Sequence, residues 1–85
     1  MDADENKHKH MITLQETKRL YIRAGGPTDH GVSEWSEIMV EMDAVIEAKS
    51  DLEAAKVIEW WGNWGRFRTP IAFAKFVRKA HKSKV

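Results

Sequence analysis

The apolar positions of this chain fall into four segments of helical spacing, separated by residues that stop and restart helices. The clearest is the second. Trp35, Ile38, Met39, Met42, Val45 and Ile46 recur at steps of three and four, while Glu34, Glu37, Glu41, Asp43 and Glu47 mostly occupy the other faces. With Ser33 as N-cap, this pattern predicts a helix over about 34–49. Before it, Thr13 and Glu16 have the spacing of a capping box, and Gly25-Gly26-Pro27 is a strong stop, so a helix over about 14–24 is expected with Leu14, Leu20 and Tyr21 inward.

After the second helix, Ser50-Asp51-Leu52-Glu53 forms another capping box and restarts the chain as a helix over about 51–62. Its expected stripe is Leu52, Ala55, Ile58 and Trp61 or Gly62. Gly62 and Gly65 then break the helix, and the stretch to Arg68 reads as an irregular aromatic corner. Thr69-Pro70 opens a fourth helix over about 70–82, an N-cap followed by proline at the first helical position. Phe73, Phe76, Val77 and Ala80 make its apolar stripe, with Lys75, Lys79 and Lys82 along a flank and Arg78 near them. No strand pattern and no internal repeat is present. The fold class is therefore all-α: a flexible tail over 1–12, too poor in apolar side chains to order itself, and one small four-helix domain over 13–85.

Composition narrows the setting. A chain of 85 residues makes one domain, and at this size only roughly 60 to 65% of the unfolded surface is buried, so the stability margin is thin. The absence of cysteine removes disulfides, thiolate zinc sites and cysteine nucleophiles. With no secretory h-region and no apolar run of bilayer length, no membrane span is expected, and a cytoplasmic location is.

The net charge of +1 conceals a division along the chain. Residues 29–59 carry nine acidic groups against two basic ones, whereas residues 60–85 carry Arg66, Arg68, Lys75, Arg78, Lys79, Lys82 and Lys84 and nothing acidic. A basic fourth helix of this kind is either a solvated face, a partner for the acidic second helix within the molecule, or a docking surface. A basic amphipathic helix can also lie on a membrane, but the same apolar stripe is needed to close the core.

The corner Glu59-Trp60-Trp61-Gly62-Asn63-Trp64-Gly65-Arg66-Phe67-Arg68 holds three of the four tryptophans. The plain reading is that Trp60, Trp61 and Trp64 cap one end of the core. Consecutive residues on a helix point about 100° apart, so Trp60 and Trp61 cannot both face inward. At least one tryptophan is thus expected at the surface or an interface. Beside Arg66, Phe67 and Arg68 it has the composition of protein hot spots, and of surfaces that stack on nucleobases.

Other chemistry is thin. His8 and His10 form at best an adventitious metal site, and His30 and His81 are expected to have local structural roles, His81 beside the negative end of the fourth helix. No nucleophile with its base, no paired carboxylates in an apolar setting and no phosphate loop is found, so no enzymatic activity, metal or cofactor is expected. A helix-turn-helix does not fit either. The third helix would present Asp51, Glu53 and Glu59 to phosphates, and residues 62–69 are too long for the turn between the third and fourth.

The pattern Glu59-x-Trp61-Gly62-x-Trp64 is similar to a Glu-x-Trp-Gly-x-Trp motif of one group of phage late-gene antitermination proteins. The resemblance covers about six residues; those proteins are longer, carry the motif near the start and contain cysteines. It implies a phage-type regulatory origin and transfers no site.

The expected function is a non-enzymatic helical interaction module, such as a small phage-type regulator or inhibitor, that binds a protein partner. The residues expected to carry it are Trp60, Trp64, Arg66, Phe67, Arg68, Lys75, Arg78, Lys79 and Lys82. A nucleic-acid binder using the same residues ranks second, since a pI near 8.1 is low for a dedicated nucleic-acid domain. A third arrangement is a homodimer in which the acidic second helix meets the basic fourth helix of its twin.

Overall fold

The computed structural model describes residues 11–83, and the stretch over 1–10, with His8 and His10, lies outside the described residues. Four helices form one core: α1 (Leu14–Arg23), α2 (Val32–Glu47), α3 (Asp51–Ile58) and α4 (Pro70–Lys82). A 3-10 turn, Glu59–Trp61, extends α3. Among the described residues there is no strand, only an isolated bridge between Trp64 and Phe67.

The boundaries follow from local capping chemistry. Thr13 caps α1 by accepting the Glu16 N–H at 3.0 Å. At the other end the Gly25 and Gly26 N–H groups return to the Ile22 and Tyr21 carbonyls at 2.9 and 3.0 Å, the paired bonds of a Schellman motif. Helix α2 begins earlier than expected from Ser33. Gly31 is the N-cap, because the Glu34 carboxylate reaches back to accept the Gly31 N–H at 3.0 Å. Ser33 lies within the first turn. Ala48 is extended, which ends α2 at Glu47, and Ser50 caps α3 by accepting the Glu53 N–H at 3.1 Å. Thr69 caps α4 by accepting the Ala72 N–H at 3.2 Å.

Leu20, Tyr21, Trp35, Met42, Val45, Ile58, Phe73 and Val77 are buried, with Ala54 and Ala74 as the small residues that let helices approach. Helix α3 lies against both α2 and α4, and α1 packs across α2 and α4. Two apolar residues expected inward are exposed, Leu14 and Leu52. Each lies on the outward side of its helix's first turn, where Thr17 on α1 and Ala54 on α3 take the inward positions. Ile12, placed in the tail by its sequence, is tied to the domain: its N–H donates to Asp43 Oδ1 at 3.0 Å and its side chain packs against the core.

The irregular segment 62–68 is stitched to the end of α1. The Arg66 N–H donates to the Ala24 carbonyl at 2.9 Å, and Gly65, at φ +62°, lies so close that a Cβ there would stand 2.1 Å from the same oxygen. Gly62 is also left-handed, φ +74°, but among the described residues nothing lies within 4 Å of a would-be Cβ. Gly62→Ala should therefore cost about 1 kcal/mol from backbone strain alone. Gly65→Ala adds the collision, and chemical denaturation should show a loss of at least about 3 kcal/mol. Equal losses in the two variants would mean that this docking does not hold the corner in place.

Candidate interaction surfaces

The basic residues of α4 divide into one that is structural and three that are not. Arg78, mostly buried, points its guanidinium at the corner between α2 and α3: Nη1 donates to the Val45 and Ala48 carbonyls at 2.8 Å each, and Nε pairs with Asp51 at 2.9 Å. A planar fork of donors suits this job, since the last carbonyls of α2 have no partner within their own helix. Lys75, Lys79 and Lys82, one per turn along the exposed side, have no ion pair among the described residues. Three carboxylates of α2 are engaged elsewhere, Glu34 with Gly31 and His30, Glu41 with Trp61, Asp43 with Ile12. Among the described residues no lysine of α4 pairs with a carboxylate of α2, and the lysine stripe stays available.

Two shallow grooves flank that stripe and share Lys79. One, of ≈ 350 Å³, is lined by Asp51, Lys75, Arg78, Lys79 and Lys82. The other, of ≈ 320 Å³, is lined by Arg23, Phe76, Lys79, Ala80 and Ser83. Arg66 adds to the second side: its Nε donates to the Arg23 carbonyl at 3.3 Å, and its guanidinium lies 4.6 Å from the Phe67 ring centre and 4.9 Å from that of Phe76. A cation over aromatic faces is held by the ring quadrupole and loses little mobility on meeting an anion. Phe67 itself is partly buried, 6.2 Å from Phe73 and 5.3 Å from Phe76. Arg68 is exposed, without an ion pair among the described residues. Arg23 was not singled out in the sequence, because only the docking of segment 62–68 on α1 brings it to Arg66.

The tryptophans separate. Trp35 is buried in the core. Trp64 is half-buried, its Nε1–H donating to the Ile58 carbonyl at 2.9 Å, so it closes the end of α3. Trp61 packs edge-on against Tyr21 and Phe73, at 6.0 and 5.5 Å between ring centres, and donates its indole N–H to Glu41. Trp60 is 69% exposed, as one of the adjacent pair had to be. It does not join the lysines. It lines a separate cleft of ≈ 300 Å³ with Tyr21, Pro27, His30, Glu34, Glu37, Ile38, Glu41, Trp61 and Asn63, none of which borders either basic groove.

The cleft is negative. Glu34 is held below the usual carboxylate range, chiefly by the Gly31 N–H and secondarily by His30, so it is ionised near neutrality. Tyr21, at its base, has its phenol pushed up by burial and stays neutral. His81 is not part of any of these surfaces: its Nδ1 meets Glu16 at 3.2 Å, linking the end of α4 to the start of α1. Among the described residues no cluster of three or more potential ligands could hold a metal ion, and no helix is long and apolar enough to cross a membrane.

Two outcomes follow from this geometry. Arg78→Ala should lower stability by about 3 kcal/mol in denaturant titrations, and Arg78→Lys should recover only a minority of it, because one ammonium cannot serve two carbonyls and Asp51 as a fork does. In collisional quenching, with each constant divided by that of free N-acetyltryptophanamide, caesium should be favoured over iodide, and Trp60→Phe should remove most of that difference. Equal normalised quenching by the two ions would contradict acidic surroundings for Trp60. No protein-family model, no curated protein and no solved structure matches this chain.

Proposed function

We propose that the protein is a non-enzymatic helical interaction module, a small regulator or inhibitor that docks on an acidic surface of a protein partner. The docking face is the exposed side of α4 together with Arg23, Arg66 and Arg68. The observation that carries this reading is the stripe of Lys75, Lys79 and Lys82, exposed and without a carboxylate partner among the described residues in a chain that holds 13 acidic side chains. Arg66, already placed over Phe67 and Phe76, supplies a planar group for a partner carboxylate. The lysines chiefly accelerate encounter and set orientation.

A nucleic-acid backbone is the second reading, favoured by the spacing of the lysines, which spans roughly 10 Å along the helix. It ranks lower for a physical reason. Phe67 and Phe76 pack against the core and the Arg66 guanidinium already lies over both rings, so a base would have to displace it, and the exposed ring of Trp60 stands among carboxylates that repel phosphates.

The test is a titration of a labelled glutamate-rich peptide and of a labelled mixed-sequence single-stranded DNA into the protein at low and moderate salt. The peptide should bind, and changing Lys75, Lys79 and Lys82 together to Gln should weaken it by roughly 10-fold or more at low salt. Binding of DNA with a steep salt dependence, and none of the peptide, would put the second reading first. Failure of both ligands at low salt would remove the basic face as a docking surface.

A further inference from the structure

The cleft beside Trp60 has chemistry opposite to that of the α4 face, and the proposed function does not use it. Carboxylates along α2 would by themselves be a solvated helix face. Here they border a concavity whose other walls are aromatic. Tyr21 and Trp61 form the packed part, their rings 6.0 Å apart and nearly perpendicular, and Trp60 stands exposed at the edge, on the 3-10 turn before the left-handed Gly62. Leaving an indole in water is unfavourable, and the turn holds it there beside an open groove instead of folding it back.

The carboxylates are not neutralised. Glu41 is oriented by the Trp61 indole N–H, and Glu34 by Gly31 and His30, which leaves both with acceptor capacity beyond these bonds. Glu37, between them on the same helix, has no hydrogen-bond or ion-pair partner among the described residues. In the same wall, the buried Nε2 of His30 has no hydrogen-bond partner among the described residues. Aromatic faces and fixed carboxylates around one cleft attract an organic cation by two independent effects, the ring quadrupole and the charge. A bare metal ion would not use the rings.

We propose that this cleft binds an arginine side chain carried on a basic segment of a partner protein. A guanidinium is planar, is weakly hydrated for an ion and presents five donors, so it can stack on Trp60 while pairing with Glu37 and Glu41. Charge complementarity selects the occupant: the cleft collects Glu34, Glu37 and Glu41 and, among the described residues, has no basic side chain on its walls except His30. The protein thus carries two docking sites of opposite sign, an arginine-binding cleft and a lysine-lined face, which share no residue.

The test is an NMR titration of the full chain with a peptide of alternating glycine and arginine, following the indole N–H signals, beside the same peptide with citrulline in place of arginine. The arginine peptide should shift the Trp60 and Trp61 signals saturably, and the neutral citrulline peptide should not. Glu37→Gln and Trp60→Ala, both exposed and compatible with the fold, should each weaken binding by about 10-fold, whereas the Lys75, Lys79 and Lys82 to Gln variant should not. The proposal is overturned if the citrulline peptide binds equally, if the shifts fall outside the cleft, or if Glu37→Gln changes nothing. It is also overturned if sedimentation of the protein alone shows self-association that Glu37→Gln abolishes, since a second copy would then be the occupant. Because the ligand is basic and the lysine variant serves only as a control, the result is independent of whether the α4 surface binds an acidic partner.

Discussion

Tyr21 is the point on which the molecule converges. Its ring meets Trp35 of α2 at 5.5 Å, Trp61 of the 3-10 turn at 6.0 Å and Phe73 of α4 at 6.4 Å between centres, each edge to face. Aromatic rings prefer this arrangement because the positive edge of one meets the negative face of the next, and each contact adds about 1 kcal/mol to the area it buries. In a domain this small, with little apolar area to draw on, one ring that joins α1, α2, the 3-10 turn and α4 does more than hold a helix in place. The same ring forms the base of the acidic cleft and contacts His30 at 5.6 Å. Core and cleft are therefore coupled: the geometry of the surface is inherited from the packing beneath it.

A second constraint operates at the helix ends. Arg78 brings α4 to the carbonyls at the end of α2 and to Asp51 at the start of α3, while Gly65 and Arg66 press the aromatic corner onto the end of α1. Both contacts satisfy backbone groups that a helix terminus leaves open. Their consequence for the surface is indirect but large. With Arg78 turned inward, the remaining lysines of α4 face outward without partners; with the corner fixed on α1, Arg66 is held between Arg23 and the two phenylalanines. The charge division along the chain becomes a division in space: Glu34, Glu41 and Asp43 of α2 meet donors on Gly31, Trp61 and Ile12, and none of them pairs with a lysine of α4.

Much of the fold was legible in the chain because capping and periodicity are local. Thr13, Ser50 and Thr69 act as N-caps where their spacing to a following donor places them, and the stripes of α2 and α4 turn inward as their three- and four-residue steps require. That one of two adjacent tryptophans must be exposed was also fixed by helical geometry alone. Departures arose at first turns and small residues. Gly31 displaces Ser33 because Glu34, three residues on, accepts its N–H, a cap that glycine marks with no side chain of its own, and Ala54 replaces Leu52 because close helix approach rewards small side chains, which hydrophobicity does not register.

The sites were less legible. The sequence by itself determined the four helices, their charged flanks and the concentration of aromatic residues between α3 and α4, all consequences of neighbours within a few positions. Only the tertiary structure decided how those ingredients were grouped. It sent Trp60 to the carboxylates of α2 and Trp64 to the Ile58 carbonyl, turned Arg78 inward, and brought Arg23 from α1 to Arg66. Each of these choices joins residues far apart in sequence, and contacts of that kind depend on which helix faces meet, a property of the assembled core that no local pattern encodes.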